Sequence, residues 1–212
     1  MRLLLLVLSF VFGAAGTACA AAGYRSPLVS EWSRAWKTVA TGDDKERLHD
    51  ARRSFVAAIE SAKKAGRRAE ISGEGALLDP DAALGKPAIP NGAYRCRVIK
   101  VGAKDPDNLA YVAYPSFACR VSAEHDLQRL SKVSGSQRYI GVLFPAEALR
   151  QVFLGTLVLG DETRALQYGE DPDRDIAGYV ERIGPNRWRL VMPKPHFESQ
   201  LDVMELVGQQ GG

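Results

Sequence analysis

Two cysteines, Cys96 and Cys119, and an acidic run, Asp171-Pro172-Asp173-Arg174-Asp175, have the residue types and spacing best suited to chemistry. Alternate carboxylates can converge on a hard cation, and Asp161, Glu162 and Glu170 lie nearby. A calcium loop of the helix-loop-helix kind would need Gly where Ile176 stands and Glu where Arg182 stands, so the run reads as a solvated hairpin loop. A paired-carboxylate hydrolase can be drafted from Asp161, Glu162 and Glu181, and it requires those groups to meet in a cleft. His49, His125 and His196 lie outside metal-ligand spacing of one another and of the cysteines, which argues against zinc. Gly135-Ser136-Gln137 lacks the flanks of a nucleophile elbow, and Gly73-x-Gly75 has neither a third glycine at Leu78 nor a preceding strand. The sequence therefore assigns no catalytic residue, no metal and no cofactor.

The cysteines are better read as architecture. Facing each other across an antiparallel hairpin, they put Val98 opposite Phe117 and Tyr94 opposite Val121 and centre the turn on Asp107-Asn108. Asp105-Pro106-Asp107-Asn108 is the strongest turn chemistry in the region. Opposed residues lie about 4.5 to 5.5 Å apart at Cα, within disulfide reach. Closing such a loop stabilises by roughly 3 kcal/mol. The alternative is a pair of reduced buried thiols. Arg95, Arg97 and Arg120 fall on the opposite face.

A disulfide implies an oxidising compartment, and the N-terminus agrees. Arg2 precedes the apolar run Leu3 to Phe12 and then small residues to Ala22, the pattern of a secretory signal over residues 1–22. The strongly apolar part is too short for a spanning helix. Cleavage after Ala20 or Ala22 would remove Cys19 and leave a periplasmic or secreted chain. The sharper alternative is lipidation of Cys19, which follows Gly16, Thr17 and Ala18; only in that case is a membrane a partner. A net charge of +3 is too small for a nucleic-acid footprint.

Residues 23–70 read as a helical N-terminal segment. Leu28, Val29, Trp32 and Trp36 recur at helical spacing, and a second helix starts at Asp43, with Glu46 reaching back to its cap. Leu48, Ala51, Phe55, Ala58, Ile59 and Ala62 form one apolar stripe, and Gly66 stops the helix. Residues 71–92 are a Gly/Pro-rich packed linker. Residues 93–207 are an antiparallel β domain with short runs near 93–101, 110–122, 126–133, 137–144, 151–159, 164–168, 176–183, 186–193 and 201–206; residues 208–212 are a disordered tail. Sequential antiparallel strands remove their edges by closing, so the fold class is α+β. N-terminal helices pack on an up-and-down β-barrel of lipocalin-like or streptavidin-like kind, with a two-sheet β-sandwich as the alternative. Trp188, Leu190 and Met192 alternate inward against Arg187 and Arg189. The run Val152 to Leu159, apolar on both faces, needs an outer cover that the helices can supply.

A small barrel holds one small ligand or presents its loops to a partner. Tyr94, Tyr139 and Trp188 are the candidate lining of a hollow lumen, and Arg138 and Arg182 its candidate polar contacts. Inward-facing charges would mean either an internal salt-bridge network or a polar pocket.

The motifs Gly92-Ala93-Tyr94-Arg95-Cys96-Arg97, Phe117-Ala118-Cys119-Arg120, Gly135-Ser136-Gln137-Arg138, Phe153-Leu154-Gly155-Thr156 and Leu159-Gly160-Asp161-Glu162 form a recognisable set. Tyr168-Gly169, Arg174-Asp175, Val180-Glu181-Arg182-Ile183-Gly184 and Trp188-Arg189-Leu190 extend it, and over roughly residues 30 to 207 the chain resembles the bacterial domain-of-unknown-function family 4893. The resemblance implies an exported bacterial protein and carries no activity, cofactor or ligand. The resulting expectation is a non-catalytic periplasmic binding or inhibitory module whose partner is a small ligand or an envelope protein. An envelope hydrolase using carboxylates of the 161–175 region and an envelope-tethered lipoprotein scaffold are the alternatives.

Overall fold

The computed structural model describes residues 35–209, so the expected signal segment, Cys19, the expected helical spacing at Leu28 to Trp32 and the last residues of the expected tail lie outside the described residues. Four helices, α1 (Trp36–Val39), α2 (Gly42–His49), α3 (Ala51–Lys64) and α4 (Arg68–Gly73), and a 3-10 turn (Gly75–Leu77) precede nine strands. The strands are β1 (Gly92–Ala103), β2 (Tyr111–Ala113), β3 (Phe117–Glu124), β4 (Leu127–Lys132), β5 (Gln137–Glu147), β6 (Arg150–Leu159), β7 (Asp175–Gly184), β8 (Arg187–Pro193) and β9 (Ser199–Gly208).

Each strand from β3 onward pairs antiparallel with the next, and β9 returns to pair with β1 from Tyr94↔Gly208 to Ala103↔Ser199. That last pairing closes an eight-stranded barrel, with β2 as an extra short strand, and sets the sandwich aside. β2 and β3 share the other edge of β1 in succession.

The cysteines are joined, Cα to Cα 5.9 Å, but in a register two residues from the expected one. Cys96 lies opposite Phe117 and Tyr94 opposite Cys119, so the bridge runs diagonally. The cause is the interruption at 114–116, which lets β2 pair with Ile99 to Val101 before β3 begins. A two-residue shift preserves strand parity, so every side chain keeps its expected face.

The lumen holds Cys96, Val98, Cys119, Val121, Leu143, Phe153, Val180, Trp188, Leu190, Met192, Met204 and Leu206. Gly141 and Gly155 pair directly between β5 and β6. A Cβ on Gly141 would sit 2.6 Å from both the Gly155 Cα and the Phe153 ring, so two adjacent strands forgo side chains to let that ring lie against them.

The outer wall is covered where β6 is apolar on both faces. Ala40 and Leu48 pack on Val142, Phe144, Val152, Leu154 and Tyr179, while Phe55, Ala58, Ile59 and Ala62 of α3 pack on Ile99, Val101, Val191 and Val203. The α2 cap is Thr41, not Asp43: its extended backbone lets Oγ1 accept the Asp44 N–H at 3.2 Å. The helix also divides at Asp50, whose carboxylate is taken by Arg53 and by Lys194 of the β8–β9 loop. Gly66, at φ 85°, ends α3 as expected, with its N–H on the Lys63 carbonyl and the Arg67 N–H on the Ala62 carbonyl.

Residues 164–168, which read as strand in the sequence, are loop. Tyr168 explains it, because its hydroxyl leaves the sheet to accept the Thr41 N–H at 3.1 Å and donate to Asp44 Oδ2 at 2.5 Å. The segment ties α2 to the barrel instead of pairing.

One end of the barrel is plugged. Ile89, 1% exposed, enters the lumen cluster from the linker, its N–H on Gln151 Oε1 and its carbonyl accepting from Gln128 Nε2. Arg182 donates from Nε and Nη2 to the Gly85 carbonyl, and Tyr94 Oη donates to the Pro90 carbonyl at 2.7 Å. The linker therefore serves as a floor.

Candidate functional site

The opposite end is a mouth rimmed by residues 104–116, 133–136, 160–174 and 194–198. Below the rim, alternation carries polar residues inward where the closed end carries apolar ones. Lys100 follows Cys96 and Val98 on β1, Asp202 precedes Met204 and Leu206 on β9, and the two are directly opposed. Asp202 is buried, 3.9 Å from Lys100 Nζ, and accepts hydrogen bonds from Tyr139 Oη at 3.1 Å and from Ser199 Oγ. Lys100 reaches Glu198 of the rim at 2.7 Å.

Burial raises the Asp202 pKa above the usual carboxylate range, against the pull of Lys100, Ser199 and Tyr139. Burial also works against the charge on Lys100, but Asp202 and Glu198 outweigh it and its pKa is raised. The Tyr139 phenol is pushed well up by burial and by Asp202, so it stays a donor.

Lys100, Gln137 and Tyr139 separate two openings. On the α2 side is a crevice of about 30 Å³, room for a water molecule, walled by Arg47, Asp175, His196 and Asp202. On the β3–β5 side is an open depression of about 360 Å³ lined by Val98, Tyr114, Phe117, Lys132, Gly135 and Ser136 as well. Lys132 is buried there, with Nζ donating to the Ser134 and Gln137 carbonyls at 2.8 and 2.7 Å and lying 3.7 Å from the Phe117 ring centroid. Desolvation and the nearby Arg138 lower its pKa to about 8.

Around the crevice, Arg47 Nη1 donates to the Asp175 carbonyl at 3.2 Å, while His196 lies 3.3 Å from both Arg47 Nη2 and Asp173 Oδ1. Asp175 is buried and its pKa is raised to about 6, chiefly by desolvation, with Asp44 adding and the Gly169 N–H opposing. A raised carboxyl pKa means that the folded state holds the proton more tightly than the unfolded one. Its stabilising contribution is present below about pH 4 and is lost as pH rises through 6. Asp175→Asn keeps an acceptor for Gly169 and should therefore raise the melting temperature at pH 7 while leaving it nearly unchanged at pH 4, as paired thermal melts would register.

The sequence candidates divide between the two ends. Tyr139 lines the mouth, and Arg138 stands on its rim, donating to the Gly135, Gly160 and Glu162 carbonyls. Tyr94 and Trp188 meet edge-on at 6.0 Å in the packed closed end, so the lumen they line is filled, and Arg182 lies on the floor. The drafted carboxylates do not meet: Glu162 is bonded to Arg174 in the β6–β7 loop, whereas Glu181 pairs with Arg189 on the outer wall. His49 lies on the helical side and His196 beside the crevice. Among the described residues no group of three His, Cys, Asp or Glu is placed to hold a metal ion.

Sequence reasoning, with Arg138 and Arg182 as its polar candidates, misses Lys100, Lys132 and Asp202. The signal was present, since Lys100 shares parity with Cys96, and Asp202 with Met204.

No curated protein and no solved structure matches the chain significantly. A family model described as a domain of unknown function (DUF4893) matches residues 36–206, the helices and barrel together, and the chain belongs to that family.

Proposed function

We propose that the protein is an exported, non-catalytic binding module that takes a small ligand at the open mouth of its barrel. The carrying observation is the contrast between the two ends: a floor filled by Ile89, Tyr94 and Trp188, against a mouth with a 360 Å³ depression lined by buried Lys100, Lys132 and Tyr139, the last bonded to Asp202. Depressions at the low end of ligand-pocket size with a few convergent polar groups are where small molecules bind. Export rests on the N-terminal pattern and agrees with the disulfide, which forms and persists in oxidising compartments. Retention and lipidation of Cys19 would instead give a membrane-anchored lipoprotein, and the mass of the mature N-terminus distinguishes the two.

Native mass spectrometry of protein purified from its own periplasm tests the binding reading. A retained species of a few hundred daltons, lost on Tyr139→Ala substitution but kept in Trp188→Phe, is the expected result. A ligand-free spectrum, or a ligand unaffected by Tyr139→Ala, would overturn it.

A second reading, docking of an envelope protein on the mouth loops, has its own support. Of the eight exposed large apolar side chains among the described residues, five (Leu109, Tyr114, Val133, Leu166 and Phe197) stand on the rim. A partner of protein mass in the same spectrum would favour it.

A further inference from the structure

We infer that the depression beside Lys132 seats a small organic anion, its charged head on the Lys132 ammonium and its apolar body along Phe117 and Tyr114. The inference rests on the reading of the mouth as the binding site and adds the chemical class of the occupant.

Three cationic side chains are buried among the described residues, namely Lys100, Lys132 and Arg189. Lys100 is matched by Glu198 and Asp202, and Arg189 by Glu181. Lys132 has two backbone carbonyls and the face of a phenyl ring. Carbonyls require a donor but no positive charge, and a ring face offsets only part of the cost of desolvating an ammonium. The charge on Lys132 is thus left without an anion while it faces an opening.

The surroundings strengthen that reading. Arg138, the neighbouring cation, also spends its donors on carbonyls, those of Gly135, Gly160 and Glu162, so two cations stand together at this corner. Glu162, whose carbonyl accepts from Arg138, has its carboxylate engaged by Arg174 at 2.7 Å. Backbone geometry is committed to the arrangement as well. Gly135 lies at φ 89°, and a Cβ there would come within 2.7 Å of Lys132 Nζ and 2.9 Å of the Phe117 ring, so the turn keeps the ammonium and ring accessible to each other by having no side chain. Phe117, Tyr114 and Val98 supply apolar surface beside the charge, and Gln137 a polar edge.

The test titrates the oxidised protein with 4-phenylbutyrate and with its uncharged match, 4-phenylbutyramide, following backbone amide shifts by NMR. The carboxylate should shift the signals of Phe117 and of residues 134 to 137 and bind about tenfold more tightly than the amide, as a charge-assisted contact requires. Lys132→Gln retains a donor for the two carbonyls but no charge, and should bring the two affinities within about twofold of each other. In the wild type, the titration midpoint of Lys132, near 8 in the free protein, should move upward when the carboxylate is bound. Equal affinities at the mouth would overturn the anion while leaving the mouth as a binding site, and a preference that survives Lys132→Gln would overturn the role of Lys132. The absence of any shift at millimolar probe would overturn the anion seat, the mouth reading then standing or falling by the native mass spectrum.

Discussion

Glu181→Ala should cost about 3 to 5 kcal/mol of unfolding free energy, as expected for a buried charge stripped of its partner. Arg189, opposite Glu181 in the β7–β8 register, has no exposed surface at all. Its Nε and Nη2 meet Glu181 Oε2 at 2.9 and 2.7 Å, and its Nη1 donates to the Ala76, Leu77 and Asp79 carbonyls at 3.0, 3.0 and 2.6 Å. One guanidinium thus satisfies the carbonyls that end the 3-10 turn and fastens the helical segment to the barrel wall, with the Phe55 ring 5.0 Å away. Removing the carboxylate leaves that guanidinium charged and dry. Urea unfolding is the measurement, and the double variant Glu181→Leu/Arg189→Met should recover part of the loss because it removes both charges together. A single variant within 1 kcal/mol of the wild type would refute the argument.

Loss of the Cys96–Cys119 bridge should cost about 3 kcal/mol, the magnitude expected for a loop of this length. The bridge spans 23 residues and therefore restrains the unfolded chain across β1, β2 and the start of β3. Both cysteines are buried in the lumen, with Cys119 Sγ 3.9 Å from Met204 Sδ. Reductant reaches them only when the barrel opens, so the native protein should resist dithiothreitol for as long as it stays folded. Denaturation of Cys96→Ala/Cys119→Ala beside the oxidised wild type measures the difference, and coincident curves would mean that the bridge contributes nothing.

The barrel was legible because its signal is repeated. Alternation in each strand, punctuated by Gly135, Gly160 and Gly184-Pro185-Asn186, leaves few ways to hide the apolar faces, and the stripe of α3 needs a wall to cover. Trp188, Leu190 and Met192 point inward as alternation requires. The hairpin register was less legible, because turn chemistry at 105–108 is compatible with more than one pairing and only the interruption at 114–116 decides between them. Arg189 shows a different limit. Parity put it outward, where an arginine is ordinarily wet, and its burial depends on a 3-10 turn more than a hundred residues away in the chain. The mouth was hidden for a related reason: Tyr94 and Tyr139 are both inward-facing aromatics, and nothing local tells which is near the plugged end. That distinction comes from Ile89, a residue of the linker.

If the mouth takes a ligand as proposed, Ile89 also sets the direction of traffic. A barrel sealed at its base by its own preceding segment is a cup and not a conduit, so whatever enters between the rim loops must leave by the same door. Residence time would then be governed by four loops and not by passage through the interior. Mutations at the base should alter how long the vessel survives and leave the rate at which it empties unchanged.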